Sequence, residues 1–245
     1  MLNEPNQQLD TQVVQLLLKE MKAGRFKDVS VLPPEVDLAN FFSVSRTTIR
    51  EALATLEREG FISRKRKVGT LVNRHVLNIE TRIDLEKEFL DIVKEAGYSV
   101  QADTVGLDFG SATEEEAGKL NLSPGDPVVH VSKIVYADSV PTIFCVDTIP
   151  QSLIRQNNYT EEDFKKPIFE FMEKFCLAEV YMAVSEVHAE NATGQIAKGL
   201  QIPDGTAVLH LKEAEFDFLG IPILYSSEYY REGIITHTIL RKRIH

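Results

Sequence analysis

The residues with the clearest chemical meaning lie at positions 46–50, which read Arg-Thr-Thr-Ile-Arg. Two guanidinium groups and two hydroxyls fall within little more than one turn of a helix. Arginine can donate two parallel hydrogen bonds to guanine, and threonine can contact phosphates or the methyl group of thymine. Arg46, Thr47, Thr48 and Arg50 therefore predict a helix that binds nucleic acid.

A solvated helix face is the alternative for these residues, with the arginines paired to Glu51 or Glu57. The segment that follows favours DNA binding. Strand-like residues at 61–62 and 70–72 flank four consecutive cations at 64–67, which read Arg-Lys-Arg-Lys. A hairpin with a basic tip directly after such a helix is typical of a winged helix-turn-helix, whose wing contacts the DNA backbone or the minor groove.

The hydrophobic pattern predicts the helices that would position these residues. A first helix is predicted over 8–23, a short second helix over 35–42, and a third over about 45–59 with Ser45 as its N-cap. The third helix has one apolar stripe at helical spacing: Ile49, Ala52, Leu53 and Leu56. The second and third helices thus form a helix-turn-helix whose charged side faces away from the core.

Charge is unevenly distributed along the 245 residues, whose formal net charge is −10. Residues 1–75 carry 12 Lys and Arg against 9 Asp and Glu, a balance of +3. Residues 76–245 carry 15 Lys and Arg against 28 Asp and Glu, a balance of −13. Because salt screens distant charges, the acidic body does not prevent the basic head from binding a phosphate backbone.

The composition, with 43% hydrophobic and 26% charged residues, is that of a globular protein. We expect no transmembrane helix, since no sufficiently long apolar run occurs, and no signal peptide, since the N-terminus lacks a basic start before an apolar block. Cys145 and Cys176 fit neither a metal-binding spacing nor a disulfide framework. A cytoplasmic protein with reduced cysteines is therefore expected.

Motifs for catalysis are absent from the sequence. It contains no P-loop, no dinucleotide-binding glycine pattern, no nucleophile elbow and no HExxH segment. His130, His188 and His210 lie in strand-like segments, where they could bind a metal but are more commonly surface or hydrogen-bonded core residues. The glutamates at 114–116 are interpreted as the charged first turn of a helix. No catalytic residue, cofactor or metal site is predicted.

The remaining sequence predicts an α+β domain around an antiparallel sheet. An amphipathic helix is expected over 84–96. Strands are predicted at 99–109, 127–137, 141–149, 178–190, 206–218 and 221–231, and helices at 113–120, 151–156, 167–176 and 193–200. Residues 121–147 and 200–229 share one order of turn, strand, turn and strand. Consecutive hairpins and separate helices favour this fold class.

The head resembles the winged-helix domain of the GntR family of bacterial transcription regulators. The resemblance covers about residues 9–73 and depends on the segments LPPE, VSRTTIR and GTLV. It implies DNA contacts by Arg46, Thr47, Thr48 and Arg50. With the flanking and wing residues, the candidate DNA-binding set is Glu35, Ser45, Arg46, Thr47, Thr48, Arg50, Lys65, Arg66, Lys67, Gly69 and Thr70.

Two positions depart from the pattern of that family. Val36 stands where many relatives have arginine, and Lys67 stands at the wing tip, where glycine is usual. These departures predict a shifted operator preference and more contact between the wing and the DNA backbone.

The body resembles the UTRA effector-binding domain of the HutC branch of GntR regulators, over about residues 82–240. This resemblance depends on the paired hairpins, on PIFEFMEKFCL and on the closing YSSEYYR. It implies a chorismate-lyase-like fold that has lost catalysis and kept a pocket. The predicted organisation is a winged helix-turn-helix at 1–73, a linker at 74–81, and an effector-binding and dimerisation domain at 82–245.

The resemblance also implies the positions that would bind an effector. These positions are Phe89, Lys133, Val135, Cys145, Phe169, Leu224, Glu228 and Arg231. Members that bind sugar phosphates carry polar groups at several of them, whereas here Lys133 and Arg231 are the cations that persist. A phosphate needs donors and balancing charge. The substitutions therefore predict a less polar acid as effector.

The sequence as a whole predicts a homodimeric repressor that binds a pseudo-palindromic operator in double-stranded DNA and responds to a small molecule. Two alternatives remain at this point. One is a chorismate-lyase-like enzyme with a fused helical head, and the other is a DNA-binding protein that has no ligand.

Overall fold

The computed structural model describes residues 5–85 and 87–243, and the chain divides into two compact units. The first unit comprises the chain up to residue 82 together with the segment from residue 238, and the second comprises residues 83–237. The described helices include none that is both long enough and apolar enough to cross a membrane.

The first unit contains four helices and a two-stranded antiparallel sheet. Its elements are α1 (Pro5–Lys22), α2 (Glu35–Phe42), α3 (Arg46–Arg58), β1 (Ile62–Lys65), β2 (Gly69–Val72) and α4 (Arg74–Leu77). The hairpin pairs Ile62 with Val72 and Lys65 with Gly69. The predicted order of helix, helix, helix and hairpin is therefore confirmed.

Helix α3 packs against α1 and α2 through the stripe predicted from its sequence. Ile49, Ala52, Leu53 and Leu56 are each at most 1% exposed. Leu17 and Met21 of α1 and Leu38 of α2 are fully buried with them. Burying each Leu, Ile or Met side chain among them gives about 1.5–3 kcal/mol of transfer free energy, so the stripe sets which side of α3 remains exposed.

The segment predicted as a linker begins with the short helix α4. Val76 and Leu77 are 2% and 3% exposed, so they belong to the core of the first unit. The Arg74 guanidinium donates hydrogen bonds to the carbonyl oxygens of Met21 and Phe26, and to that of Val29 at 2.7 Å. Arg74 thereby satisfies carbonyls at the end of α1 and in the loop that follows.

The second unit contains one six-stranded antiparallel sheet, with strand order β3-β4-β5-β8-β7-β6. Its strands are β3 (Val100–Ser111), β4 (Pro127–Ala137), β5 (Val140–Pro150), β6 (Met182–Asn191), β7 (Ala207–Phe216) and β8 (Pro222–Arg231). Its helices are α5 (Phe89–Glu95), α6 (Glu114–Leu120), α7 (Ile168–Phe171) and α8 (Gly194–Gly199). The predicted α+β class is confirmed.

Three predicted helices are shorter or different in the structure. Helix α5 starts at Phe89 because Glu88 is extended, with φ −60° and ψ 140°. The helix predicted over 151–156 is a single 3-10 turn at Gln151–Leu153. Helix α7 continues as a π-helical turn at Met172–Cys176. Boundaries near such turns depend on tertiary packing, which a sequence period does not contain.

The sheet consists of two halves with the same order, as the paired segments predict. Strand β3, helix α6 and strands β4 and β5 form one half, and β6, α8, β7 and β8 form the other. The halves join where β5 pairs with β8, with Cys145 opposite Glu228 and Asp147 opposite Ser226.

Alternation along the strands separates two faces of this sheet. One face carries two apolar clusters, one centred on Phe164, Phe171 and Phe175 and the other on Val93 and Ile143. Polar and charged side chains occupy neighbouring positions on the same face: Lys133, Asp147, Glu213, Glu215, Ser226 and Glu228. All six are at most 7% exposed, so this face contains a buried polar region.

Candidate functional site

The start of α3 presents the cations predicted from the sequence. The side chains of Arg46 and Arg50 are 61% and 59% exposed. Glu35, at the start of α2, lies between them: its Oε2 is 3.2 Å from Arg50 Nη2 and 3.9 Å from Arg46 Nη2. One carboxylate from the preceding helix therefore holds both guanidinium groups at the same end of α3. Glu57, one of the alternative partners considered, pairs instead with Arg64.

Two of the predicted hydroxyl groups stabilise the start of α3. Ser45 Oγ accepts a hydrogen bond from Thr48 N at 3.0 Å, which confirms Ser45 as the N-cap. The hydroxyls of Ser45 and Thr48 lie 2.8 Å apart, and Thr48 is only 4% exposed. The structure thus places Thr48 inside the cap, where its buried position does not fit the predicted contact with DNA. Thr47 is exposed beside Arg46.

The hairpin tip bears the predicted cations. Lys65, Arg66 and Lys67 are exposed, and within the described chain they form no ion pair. Arg64 differs, since its guanidinium lies 2.6 Å from Glu57 of α3 and holds the hairpin against that helix. Lys67 has φ +68°, a left-handed conformation that explains why glycine suits this position.

The other two wing candidates have structural contacts. Gly69 has φ +106°, and the Thr70 carbonyl oxygen accepts a hydrogen bond from Leu32 N at 2.8 Å. Thr70 is half-buried. These residues shape the hairpin that presents the three exposed cations.

The second unit has a pocket between α5, α7 and the sheet, which we call the lysine pocket. The space between its wall atoms, open solvent included, is about 320 Å³. Its wall is Glu88, Phe89, Leu90, Ala102, Lys133, Val135, Asp147, Lys165, Lys166, Pro167 and Ile168. Lys133 is 5% exposed and its Nζ donates to the Lys166 carbonyl oxygen at 2.5 Å. Lys133 is one of the two cations predicted for the effector site, and Lys165 and Lys166 are two further cations of this wall.

A neighbouring pocket, which we call the acidic pocket, has about 230 Å³ of space between its wall atoms, open solvent included. Its wall is Lys87, Glu88, Phe89, Asp147, Ile168, Phe169, Glu215, Ser226 and Glu228. Glu88, Phe89, Asp147 and Ile168 belong to both pockets, so the two cavities adjoin. The expectation of a generally apolar site is wrong for this half, because four carboxyl groups line it.

The acidic groups are held largely away from water. Burial raises the pKa of Glu88 to about 7, although Phe169 N donates to its Oε1 at 2.9 Å. Burial also raises the pKa of Asp147, and the nearby Lys133 only partly opposes this. Burial and the adjacent Glu213 hold the pKa of Glu228 well above its ordinary value. The pocket therefore favours protons or another source of positive charge.

Of the eight predicted effector residues, five line the two pockets: Phe89, Lys133, Val135, Phe169 and Glu228. Cys145 is fully buried between Lys133 and Glu228 in the sheet register. Leu224 packs in the apolar cluster around Phe171.

Arg231, predicted as an effector ligand, lines neither of these two pockets. It pairs with Val208, which belongs to the apolar cluster on the opposite face, and its Nη1 donates to the Leu200 carbonyl oxygen at 3.4 Å. On β8, the side chain of Glu228 faces the pockets. Because Arg231 is three residues further along the strand, its side chain lies on the opposite face of the sheet.

Sequence reasoning missed Glu88, Asp147, Glu215 and Ser226. Strand alternation offered a signal for three of them, Asp147, Glu215 and Ser226. Each stands two residues from a predicted pocket residue or a core residue, and so on the same face of the sheet. Asp147 follows Cys145 by two residues, and Ser226 precedes Glu228 by two. Polar residues at core-facing strand positions indicate a buried polar site.

The strand histidines form hydrogen bonds or ion pairs with carboxylates. His210 is 2% exposed, with Nδ1 2.6 Å from Glu190 and Nε2 2.8 Å from Ser227. His130 Nε2 lies 2.8 Å from Glu116, and His188 lies 3.7 Å from Glu186. Within the described residues, no histidine belongs to a cluster with metal-binding spacing. This favours the hydrogen-bonded alternative considered for these residues.

Comparison with known proteins agrees with this arrangement. The model of the UTRA domain matches residues 95–233, and that of the bacterial regulatory proteins of the gntR family matches residues 9–72. The chain belongs to the GntR family and carries a UTRA domain. It is a DNA-binding transcription regulator and not an enzyme.

Similar proteins extend over nearly the whole chain. The HTH-type transcriptional repressor NagR of Bacillus subtilis is 25% identical over 220 residues, which are 90% of this chain and 89% of NagR. The HTH-type transcriptional regulator GgaR of Escherichia coli is 26% identical, over 87% of this chain and 83% of GgaR. The structure of YydK from Bacillus subtilis has a TM-score of 0.78 at 19% identity, covering 96% and 99% of the two chains, and supports the same fold.

Proposed function

We propose that this regulator is a cytoplasmic repressor that binds a pseudo-palindromic operator as a homodimer and is controlled by a small effector in the second unit. The observation that carries the proposal is the exposed pair Arg46 and Arg50, held by Glu35 beside a basic wing. In a helix-turn-helix, the start of the second helix faces the major groove. Relatives that are named transcriptional repressors support repression rather than activation.

The proposed DNA contacts differ in kind. Arg46 and Arg50 read bases and nearby phosphates, Thr47 contacts the backbone, and the wing cations bind phosphates. Ser45 and Thr48 support the helix start that presents these groups.

Measuring operator affinity for the Arg46→Ala variant tests this assignment. A base-reading arginine should contribute about 1–3 kcal/mol and its loss should relax specificity. Arg58→Ala is the matched control, because Arg58 is exposed at the other end of the same helix. Equal losses in both variants would show that only general positive charge matters.

Strand β6 supports the homodimer. It is an edge strand, and its residues alternate between the two faces of the sheet, yet nine of its ten residues are exposed. Val184 and Val187 are 57% and 50% exposed, and Met182 is 44% exposed. An apolar edge strand without cover is a pairing surface, and a second copy of the chain would cover it.

Light scattering on a Val184→Glu variant tests this interface. We expect the variant to dissociate and to lose affinity for a two-half-site operator. Val105→Glu is the control, because Val105 is 51% exposed on β3 at the other edge of the sheet. A dimeric Val184→Glu protein, or a monomeric control variant, would contradict the assignment to β6.

The lysine pocket is proposed to bind the apolar body and the anionic group of the effector. Lys133 is the buried cation there, and Phe89, Val135 and Ile168 supply apolar surface. A charge-assisted hydrogen bond to a buried ammonium group is strong enough to select an acid. Lys133→Ala should therefore weaken binding of an anionic effector strongly.

The melting temperature in the presence of two ligand panels tests the effector site. One panel contains hydrophobic carboxylic acids and the other contains sugar phosphates. A ligand that binds only the folded state raises the melting temperature by mass action. A rise that depends on Lys133 supports the site, whereas an equal rise with Lys133→Ala places binding elsewhere.

The C-terminal segment provides a route from the second unit to α3. Its Lys242 Nζ donates to the carbonyl oxygens of Glu57 and Arg58, at 2.7 and 2.6 Å. In the second unit, Tyr230 donates to the pocket residue Glu228 at 2.7 Å, and its ring packs on His237 at 4.4 Å. We infer that a bound effector shifts His237 and the segment that follows it. Because this segment contacts α3, the shift changes which positions α3 can adopt.

The Lys242→Ala variant tests this coupling. Its operator affinity without effector should remain, while the change caused by effector should decrease. Arg241→Ala is the matched control, since it removes the same charge one residue earlier. An undiminished effector response in Lys242→Ala would refute the route.

A further inference from the structure

Several buried carboxyl groups meet in and beside the acidic pocket. Glu213, Glu215 and Glu228 are at most 7% exposed, and each offers an oxygen within 4.8 Å of the others. Asp147 is fully buried and lines the acidic pocket together with Glu215 and Glu228. Lys133 is the buried ammonium group nearby, and it already donates to a backbone carbonyl.

Asp147 shows where the missing partner belongs. Its Oδ1 lies 2.9 Å from Ser226 Oγ, whose single proton is also within reach of Glu215 Oε1 at 3.0 Å. Its other oxygen, Oδ2, has no hydrogen-bond partner among the described residues. A buried carboxylate oxygen without a donor is costly, so it marks a position for a donor with positive charge.

The acidic pocket adjoins the lysine pocket, and this decides what kind of cation fits. Glu88, Phe89, Asp147 and Ile168 line both cavities, so a single molecule bound at this point would contact both. A bare metal ion would occupy only the acidic side. We propose that the effector is a dipolar molecule whose protonated amine binds Asp147 and Glu228 while its anionic group binds in the lysine pocket. The inference rests on the proposed effector site.

The chemistry of the two ends is complementary. A primary ammonium group has three donors, which suits carboxylate oxygens that converge from β5, β7 and β8. The apolar wall between the ends, formed by Phe89 and Ile168, suits a short hydrocarbon or sugar body. Burial raises the pKa values of Asp147 and Glu228 and a bound ammonium group opposes that effect, so its binding should release protons wherever these groups hold them beforehand.

Matched ligand pairs test the amine directly on the full-length protein. The first set is 6-aminohexanoate, hexanoate and hexylamine, and the second is glucosamine 6-phosphate and glucose 6-phosphate. Calorimetry should show that the dipolar member of at least one set binds about tenfold or more tightly than its partner without the amine. Calcium and manganese chlorides form a separate arm that measures metal binding.

Protein variants locate the contact. Asp147→Asn should remove the preference for the amine, while Asp108→Asn, an exposed change on β3, should keep it. Glu228→Gln provides a second variant in case Asp147→Asn fails to fold. Calorimetric titration with the amine in buffers of different ionisation enthalpy measures the protons released on binding. The native protein should release more protons than these two pocket variants.

Each other outcome overturns the inference. Equal binding of the matched ligands shows that the amine is not recognised, as does a preference that both pocket variants retain. Binding of calcium or manganese without binding of any amine assigns the pocket to a metal ion, and no amine binding in either set also refutes the proposal. An amine that binds as expected but leaves operator affinity unchanged refutes only the proposed regulatory function.

Discussion

Replacing Glu88 by glutamine should remove a specific part of the pH dependence of stability. Glu88 lines both pockets, and burial raises its pKa from 4.5 to about 7 in the folded protein. The neighbouring Asp147, Lys133 and Asp91 also act on this pKa. Glutamine has nearly the same shape and can still accept the hydrogen bond from Phe169 N.

The sign follows from the raised pKa. Below pH 4.5 the carboxyl is protonated in both states, and its contribution to stability is fully present. Between about pH 4.5 and pH 7 the unfolded chain loses the proton first, so the free energy of unfolding falls as the pH rises. The pKa difference corresponds to about 3 kcal/mol, of which roughly 2–3 kcal/mol is lost between pH 5 and pH 8.

Urea denaturation followed by circular dichroism, on the native protein and Glu88→Gln, measures this effect. The difference between the two proteins cancels the other titrating groups. We expect the variant to gain roughly 2–3 kcal/mol relative to the native protein as the pH rises from 5 to 8. A constant difference across this range would show that Glu88 titrates as an exposed carboxyl does.

Three further changes probe the DNA-binding part. Lys67→Gly should stabilise the first unit by up to about 1 kcal/mol, because φ +68° strains a residue with a side chain. The same change should weaken operator binding and reduce its salt slope by about 0.9, because one phosphate contact is lost. Glu35→Gln should weaken operator binding, since Arg46 and Arg50 lose the carboxylate that holds them, yet strengthen binding to random DNA through the added net charge. Ser45→Ala should cost about 1 kcal/mol of stability through loss of the cap.

Fluorescence anisotropy at several salt concentrations and urea denaturation measure these effects. Lys27→Gly, a change in another exposed cation of the first unit, controls for the charge of Lys67. Destabilisation by Lys67→Gly would contradict the argument from backbone strain. Parallel changes in operator and random-DNA affinity would contradict the role of Glu35, and unchanged stability would contradict that of the Ser45 cap.

The DNA-binding part was predictable because its structure depends on short-range interactions. The stripe from Ile49 to Leu56 repeats at helical spacing, and Ser45 caps a helix whose first residues follow it directly. The basic wing is adjacent in sequence to the helix that it supports. Two details nevertheless needed coordinates: the burial of Thr48 and the position of Glu35 between two arginines. Both depend on how α2 packs against α3.

The strands and paired halves of the second unit were also visible in the sequence, since hairpins join neighbouring segments. The pocket was only partly visible. Asp147 and Ser226 are 79 residues apart in the chain and meet because β5 pairs with β8. Alternation along a strand shows which residues share a face, and it would have excluded Arg231. It does not show which strands are neighbours.

The sequence by itself therefore determined the helix-turn-helix, its wing and the two-half sheet, because local periodicity, caps and turns specify them. Only the tertiary structure decided the character of the effector site. Strand order and register bring Asp147, Glu215 and Glu228 together from three strands, while α5 and α7 cover them. Isolated in sequence, each carboxylate resembles a surface residue. Brought together and buried, they form a site that needs positive charge.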